Sequence, residues 1–392
     1  MNSSPVDCIE RNRISSVTRF ATLGSYVQPS LVIDSVGPLL FVKFSIGNPP
    51  VPQHVVMDTG STFLWVEDSQ CDPCLNVDGS RYNHMKSTTY NKLSCQDPYC
   101  NDILSHVCNN SRSDPCSYSV HYEGGLSSTG IVGKEQLSFA TSDDGTVIVP
   151  NVVFGYGLNQ VGENHLIDHQ FRGILGLGHR SSSLVAKLGS KFSYCIGSIT
   201  DPNYEYNSLS LGDGASIQGD PTPMEIVNGL YFLSLEGIMI GTTKLGIDSS
   251  EFKRTTKFPT GVCIDAGTAP TWLTTKAYVA FTDEVTKLLD QLLTRIKDDG
   301  TSNLCYKGII DQDLIGFPVV TFQFAGGADL VLDMESLFLQ NSDVFCMQVV
   351  LSPNEGFSAI GLLAQQSYNV AYDIEANKLY VQRIDCELLS DI

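Results

Sequence analysis

The 392-residue chain is 42% hydrophobic, enough for each of two domains to bury its own core, and it carries 43 acidic against 24 basic side chains. A net charge of −19 repels nucleic acid and anionic membrane alike, so neither is expected as a partner. The same balance suits work in acid, where protonation relieves repulsion among carboxylates.

Residues 1–35 are polar, with Arg11, Arg13 and Arg19 on a helix-compatible stretch and no strand alternation. They read as the end of a leader or prosegment, either a frayed tail or a basic segment docked on an acidic body. No apolar core of signal-peptide length lies in this region, and no run long enough to span a membrane occurs anywhere. The expectation is a secreted or vacuolar protein whose signal is removed or not included.

From Leu39 the pattern changes to short strands with turn punctuation. A strand over 40–46 ends at Gly47-Asn48-Pro49-Pro50, and the next run, Val55-Val56-Met57, delivers Asp58 into Asp58-Thr59-Gly60-Ser61-Thr62-Phe63-Leu64-Trp65. A carboxylate between a buried strand and a Gly turn can be held there by backbone amides and hydroxyls. Further strands are predicted at 117–122, 130–139, 147–154 and 208–211, with a short helix over 182–188. Punctuation alone places a boundary within 214–223, dividing an N-terminal lobe, 36–222, from a C-terminal lobe, 223–392. In the second half, a strand pattern over 231–241 precedes Gly261-Val262-Cys263-Ile264-Asp265-Ala266-Gly267-Thr268. This stretch repeats the apolar lead-in, the acid, the small residue, the Gly and the hydroxyl of the first. A helix over 275–295 and strands at 319–324, 345–350, 358–361, 370–373 and 378–382 follow. The pattern predicts an all-β protein of two lobes, each offering one Asp loop at the seam.

Two carboxylates within hydrogen-bonding range cannot both ionise cheaply, so one keeps a proton across the acid range. The ionised member can then take a proton from water while the protonated member donates to a carbonyl oxygen. A tetrahedral intermediate forms without a covalent enzyme ester. Ser61 and Thr268, each three residues after its Asp, can bond the outer carboxylate oxygens or serve only as turn hydroxyls. Trp65 is a core candidate, as Trp on strands usually is. The chain has no Gly-x-Ser-x-Gly elbow, no His-Glu-x-x-His and no phosphate loop. A glycosidase carboxylate pair stays open on residue type, although it needs no matching Gly loops. No cofactor and no metal is implied.

Twelve cysteines are too many for a reduced cytosolic chain and read as disulfides. Cys71-Asp72-Pro73-Cys74 has zinc-knuckle spacing, yet the seven histidines are scattered and none follows at ligand spacing, so oxidised pairs are the simpler expectation. Sequons at Asn109 and Asn2 fit a secreted route.

With these features in hand, the chain resembles the pepsin-like aspartic proteases, within them the plant nepenthesin and nodulin-like branch, from about residue 37 to the C-terminus. The carriers are Asp58-Thr59-Gly60-Ser61 through Trp65, Cys71-Asp72-Pro73-Cys74, Gly173-Ile174-Leu175-Gly176-Leu177-Gly178, Lys191-Phe192-Ser193-Tyr194-Cys195, the run from Tyr231 to Gly241, the Asp265 loop, Leu304-Cys305-Tyr306 and the ending from Tyr372-Asp373 to Cys386. The resemblance implies a bilobal pepsin-like fold with Asp58 and Asp265 as the catalytic pair. Gly60 and Gly267 shape their loops, and Thr59, Ser61 and Thr268 support them. A flap carrying Tyr122 would close over a peptide or protein substrate and bond toward Trp65. Apolar-apolar-Gly segments, Leu175-Gly176 and Ile360-Gly361, would lie behind the acids. The implied activity is that of an acid endopeptidase, expected to act as a monomer. The implied bridges are Cys71 to Cys74, Cys95 to Cys116, Cys100 to Cys108, Cys195 to Cys386 and Cys305 to Cys346.

Three departures stand against the pattern. A third cysteine near Val77 and its partner in a Phe-Gly-Cys-Gly run, here Phe154-Gly155-Tyr156-Gly157, are absent together, which leaves Cys8 and Cys263 over, as free thiols or as an added pair; Cys263, just before the acid, reads rather as a buried thiol. Ala266 stands where the family places Ser or Thr, whose hydroxyl bonds across the seam; its loss costs about 1–3 kcal/mol where the abandoned group stays dry. The flap reads Tyr122-Glu123-Gly124-Gly125-Leu126, without the usual Gly-Asp-Gly-Ser. These departures keep two other expectations open. One is a pepsin-fold binding protein without turnover, like relatives that inhibit plant cell-wall hydrolases. The other is a zymogen silent until residues up to about 35 are removed.

Overall fold

The computed structural model describes residues 18–21, 26–34, 37–75, 81–108, 113–141, 145–162, 172–201, 203–296 and 303–389. Asn109, Asn2, Cys8 and Val77 lie outside them.

Period-two alternation builds the first sheet. Leu40–Ile46 turns Leu40, Val42, Phe44 and Ile46 into the main core while Phe41 faces a second cluster with Val56, Trp65 and Ile174. It pairs antiparallel with Val51–Asp58, whose last residue is the first loop's acid. Pro52 and His54 are exposed, but the last four residues, Val55 to Asp58, are all buried, so the acid arrives on a stretch with no solvent-facing side to slip toward. Gly173–Gly176 lies parallel to that strand, with Gly176 opposite Asp58, and antiparallel to Leu64–Glu67. A long hairpin, Ser127–Ala140 with Thr146–Val161, completes this 11-stranded sheet.

The second 11-stranded sheet draws strands from both halves of the chain. Lys191–Ile196 pairs with Tyr368–Asp373, which continues through Lys378–Arg383 and Asp220–Val227 to Leu230–Leu233 and Gly261–Ile264. Gly261–Ile264 lies parallel to Phe357–Ile360, the arrangement already seen around Val51–Asp58. Two four-stranded sheets pack onto the C-terminal half. The molecule is a mostly-β, two-lobed fold, as the strand pattern predicts.

Local readings differ from the structure in four places. Residues 1–35 were expected to hold no strand, yet Thr18–Phe20 runs parallel to the edge of the long hairpin, Tyr26–Val27 pairs with Ser208–Gly212, and Leu31–Ile33 pairs with Leu40–Ile46. Open sheet edges accept backbone partners whatever their side-chain polarity, so composition gives no warning. The division at 222 falls inside the strand Asp220–Val227. The helix expected over 275–295 spans Thr275–Leu289, burying Ala277, Phe281, Val285 and Leu289. It stops where Asp290 is taken by Arg295 and by the Tyr306 hydroxyl, at 2.7 Å.

The fourth difference concerns two bridges. The structure pairs Cys95 with Cys108 and Cys100 with Cys116, exchanging the partners implied by the resemblance. The short helix Pro98–Asp102 turns Cys100 inward to meet the buried Cys116 in the Trp65 cluster, leaving Cys95 and Cys108 at the rim. The other bridges are Cys71–Cys74, Cys195–Cys386 and Cys305–Cys346. Cys263 is a buried free thiol. Tyr156 stacks on His84 with ring centroids 4.2 Å apart and meets Tyr90 edge-on, so aromatic packing surrounds the position where the family carries a bridging cysteine.

Candidate active site

Asp58 ends its strand and Asp265 follows Ile264 directly, so the two parallel strand pairs deliver both acids to one place. Each carboxyl faces the other loop, and the two are close enough that each acts on the other's titration. Each loop repeats one local device: the Gly60 amide donates to Asp58 Oδ1 at 2.7 Å, and the Gly267 amide donates to Asp265 Oδ1 at 2.9 Å. The glycines are needed for the close approach. A Cβ on Gly60 would stand 2.7 Å from Asp265 Oδ2, and one on Gly267 would stand 2.5 Å from Asp58 Oδ1. Any side chain there pushes the facing acid away.

Behind the loops, the Leu177 amide donates to Asp58 O and the Leu362 amide to Thr268 O, both at 2.7 Å. A Cβ at Gly361 would lie 2.1 Å from the Pro270 carbonyl oxygen, which accounts for the apolar-apolar-Gly ending.

The supporting hydroxyls are not symmetric. Thr268 Oγ1 donates to Asp265 Oδ2 at 2.8 Å. Ser61 Oγ is buried beside the Asp58 carboxyl without hydrogen-bond geometry to any partner among the described residues. Thr59 Oγ1 reaches across the seam, donating to Ile264 O at 3.1 Å and accepting from the Ala266 amide at 2.9 Å. Ala266, fully buried, returns no such bond.

Burial and the facing Asp265 carboxylate push the Asp58 carboxyl up to about 7. Burial raises Asp265 as well, while Thr268, the Gly267 amide and the Asp58 carboxyl hold it lower. Both acids are raised and they titrate as a unit, with Asp58 the favoured site of the shared proton.

The flap is the hairpin between Ser117–His121 and the strand from Ser127, closed by a Tyr122 amide bond to Leu126 O at 2.8 Å. Gly124 and Gly125 take φ values of 89° and 85°, which the tight tip requires. Trp65 Nε1 donates to the Tyr122 hydroxyl at 2.9 Å, holding the ring beside Asp58. Trp65 is fully buried, so its ring belongs to the core while its N–H reaches the Tyr122 hydroxyl. At the tip, Asn354 Nδ2 from the C-terminal half donates to Glu123 Oε1 at 3.0 Å.

Sequence reasoning missed Trp272. It stands seven residues after Asp265, as Trp65 stands after Asp58, and it packs with Phe232, Cys263 and Phe357. The equal offset was the available signal. The Glu123–Asn354 contact had none.

The family model described as xylanase inhibitor N-terminal matches residues 40–213, and its xylanase inhibitor C-terminal counterpart matches 230–383. The chain is 31% identical to Aspartyl protease UND of Arabidopsis thaliana over 90% of this chain and 86% of that one. It is 31% identical to Aspartic proteinase nepenthesin-2 of Nepenthes gracilis over 85% of this chain and 75% of that one. The structure of basic 7S globulin from soybean superposes with a TM-score of 0.69 at 19% identity, covering 91% of this chain and 95% of the globulin, a likeness of fold. The paired strands, the two Asp-x-Gly loops and these relatives together make the chain a member of the plant pepsin-like aspartic protease family.

Proposed function

We propose that the protein is an aspartic endopeptidase that hydrolyses peptide bonds in acid, with Asp58 and Asp265 as its catalytic pair. The observation that carries this is the facing pair of carboxyls, buried Asp58 and partly buried Asp265, each held by its own loop's glycine amide and set against the other loop's glycine. Ionised Asp265 takes a proton from a water between the acids, and that water's oxygen bonds to the peptide carbon. Asp58 gives its proton to the carbonyl oxygen, producing a neutral gem-diol. Collapse returns one diol proton to Asp58, and Asp265 passes its proton to the leaving nitrogen as the C–N bond breaks. The pair is then restored.

The substrate is an extended peptide clamped between the lobes under Tyr122, by strand-like pairing and apolar contacts. The protein is taken as a monomer and its setting as extracellular or vacuolar, in keeping with its disulfides. Incubation with a mixed peptide pool at acid pH, read by mass spectrometry, tests the proposal. Cleavage abolished by Asp58→Asn is expected, and unchanged cleavage by that variant contradicts it.

A second reading, a binding protein without turnover, is favoured by Ala266 and the altered flap tip. A statine-type inhibitor separates the two, because it needs a competent acid pair rather than a cleft. If activity appears only after residues up to about 35 are removed, the chain is a zymogen.

A further inference from the structure

Ala266 leaves the seam gripped from one side. Thr59 holds the Asp265 loop at two points, and nothing comparable returns from the alanine methyl. Directly beneath lies a buried polar cluster to which no role has been given. Tyr194 comes from Lys191–Ile196, Tyr372 from Tyr368–Asp373 and Gln365 from the short helix after Gly361; none is more than 1% exposed.

The hydrogens in this cluster run one way. Tyr194 donates to Gln365 Oε1 at 2.7 Å, which commits its only hydrogen. In its 3.2 Å contact with the Tyr372 hydroxyl, Tyr372 must therefore donate. The Gln365 amide nitrogen then donates to Ile360 O at 2.9 Å and to Asp265 O at 3.2 Å. Ile360 O also accepts from the Asp265 amide at 3.0 Å, so one side chain clamps both strands that meet at the acid. Both phenols lie beside the Thr59 hydroxyl. Phe192 stacks on Tyr372 at 4.2 Å, and neighbouring Tyr231 donates to Leu177 O at 2.8 Å, the residue whose amide holds Asp58 O. The cluster touches the supports of both acids and neither reacting oxygen.

We infer that Tyr194, Tyr372 and Gln365 are positioning residues, a platform of two phenols and an amide that fixes the Asp265 loop in place of the hydroxyl missing at Ala266. The inference rests on the proteolytic reading above. Its physical ground is that a satisfied buried network is rigid, and that acid–base chemistry tolerates little displacement of its groups.

Tyr194→Phe keeps the ring and removes the hydroxyl, so it separates positioning from packing. Steady-state kinetics on a peptide that the wild type cleaves in acid would compare Tyr194→Phe, Gln365→Leu, Ala266→Ser and the double variant Tyr194→Phe with Ala266→Ser. Thermal melts would establish that each is folded. Tyr194→Phe is expected to lower kcat roughly 10- to 100-fold with KM within about twofold, and to move the acid limb of the pH profile. Gln365→Leu should behave alike, and the double variant should recover most of the loss. Wild-type kcat and pH profile in Tyr194→Phe, or a loss that Ala266→Ser does not lessen, overturn the inference. If the wild type cleaves nothing, the proteolytic reading fails on its own. The platform is then read from amide hydrogen exchange across 264–268, which should quicken in Tyr194→Phe and slow again in the double variant; unchanged exchange overturns it.

Discussion

At Gly60 and Gly267 the site leaves room for a hydrogen and nothing larger, because each α-carbon faces the other loop's carboxylate. Gly267→Ala would set a methyl against Asp58 Oδ1 and part the two acids. A loss of at least about 100-fold in kcat is expected, since a displacement of about 1 Å at a reacting group costs that much. Inhibitor titration alongside the kinetics would show whether the pair itself is broken. At this scale the sequence was informative where two acids, two glycines and two following hydroxyls repeat; the two tryptophans at one offset repeat as well, and that signal was passed over. It was silent where one side chain serves another far along the chain. Gln365 reaches the carbonyl of Asp265, and no periodicity marks a bond of that span.

The flap reads Tyr122-Glu123-Gly124-Gly125-Leu126, and the structure gives Glu123 a partner across the cleft. Tyr122 is held from below by Trp65, while Glu123 is held from across the cleft by Asn354. The second bond is exposed and is worth about 1 kcal/mol. Asn354→Ala should therefore quicken amide exchange at 122–126 and change KM by no more than about fivefold, with kcat nearly kept. Unaltered exchange would show that the contact does not restrain the tip. Strands and the helix were legible as elements because burial enforces alternation or a four-residue repeat. Their edges were not: Thr275–Leu289 ends on an ionic and phenolic grip around Asp290, and the strands before residue 34 form because a sheet edge offers them partners. The two exchanged bridges were equally hidden, since four clustered cysteines fix no connectivity until a helix turns one of them inward.

For the whole molecule, the close acid pair, with Asp58 buried, makes stability depend on pH. The native Asp58 carboxyl holds its proton up to about 7, whereas an unfolded aspartate releases it near the ordinary value of 3.8. Between those values the native state binds more protons, so stability is greatest in acid and falls as pH rises through the window. The Tm should drop from about pH 4 to pH 7, and Asp58→Asn should flatten that dependence; a Tm that climbs over the same range would contradict the titration. The acidic overall charge pushes the same way, by self-repulsion. In the proposed mechanism the same proton governs the chemistry. The most direct test is the pH profile of kcat/KM on a cleaved peptide. A bell is expected, with an acid limb where Asp265 takes up a proton and a basic limb toward 7 where Asp58 loses its own. A rate that holds steady above pH 8, or a bell retained by Asp58→Asn, would contradict a single proton shared between these two acids.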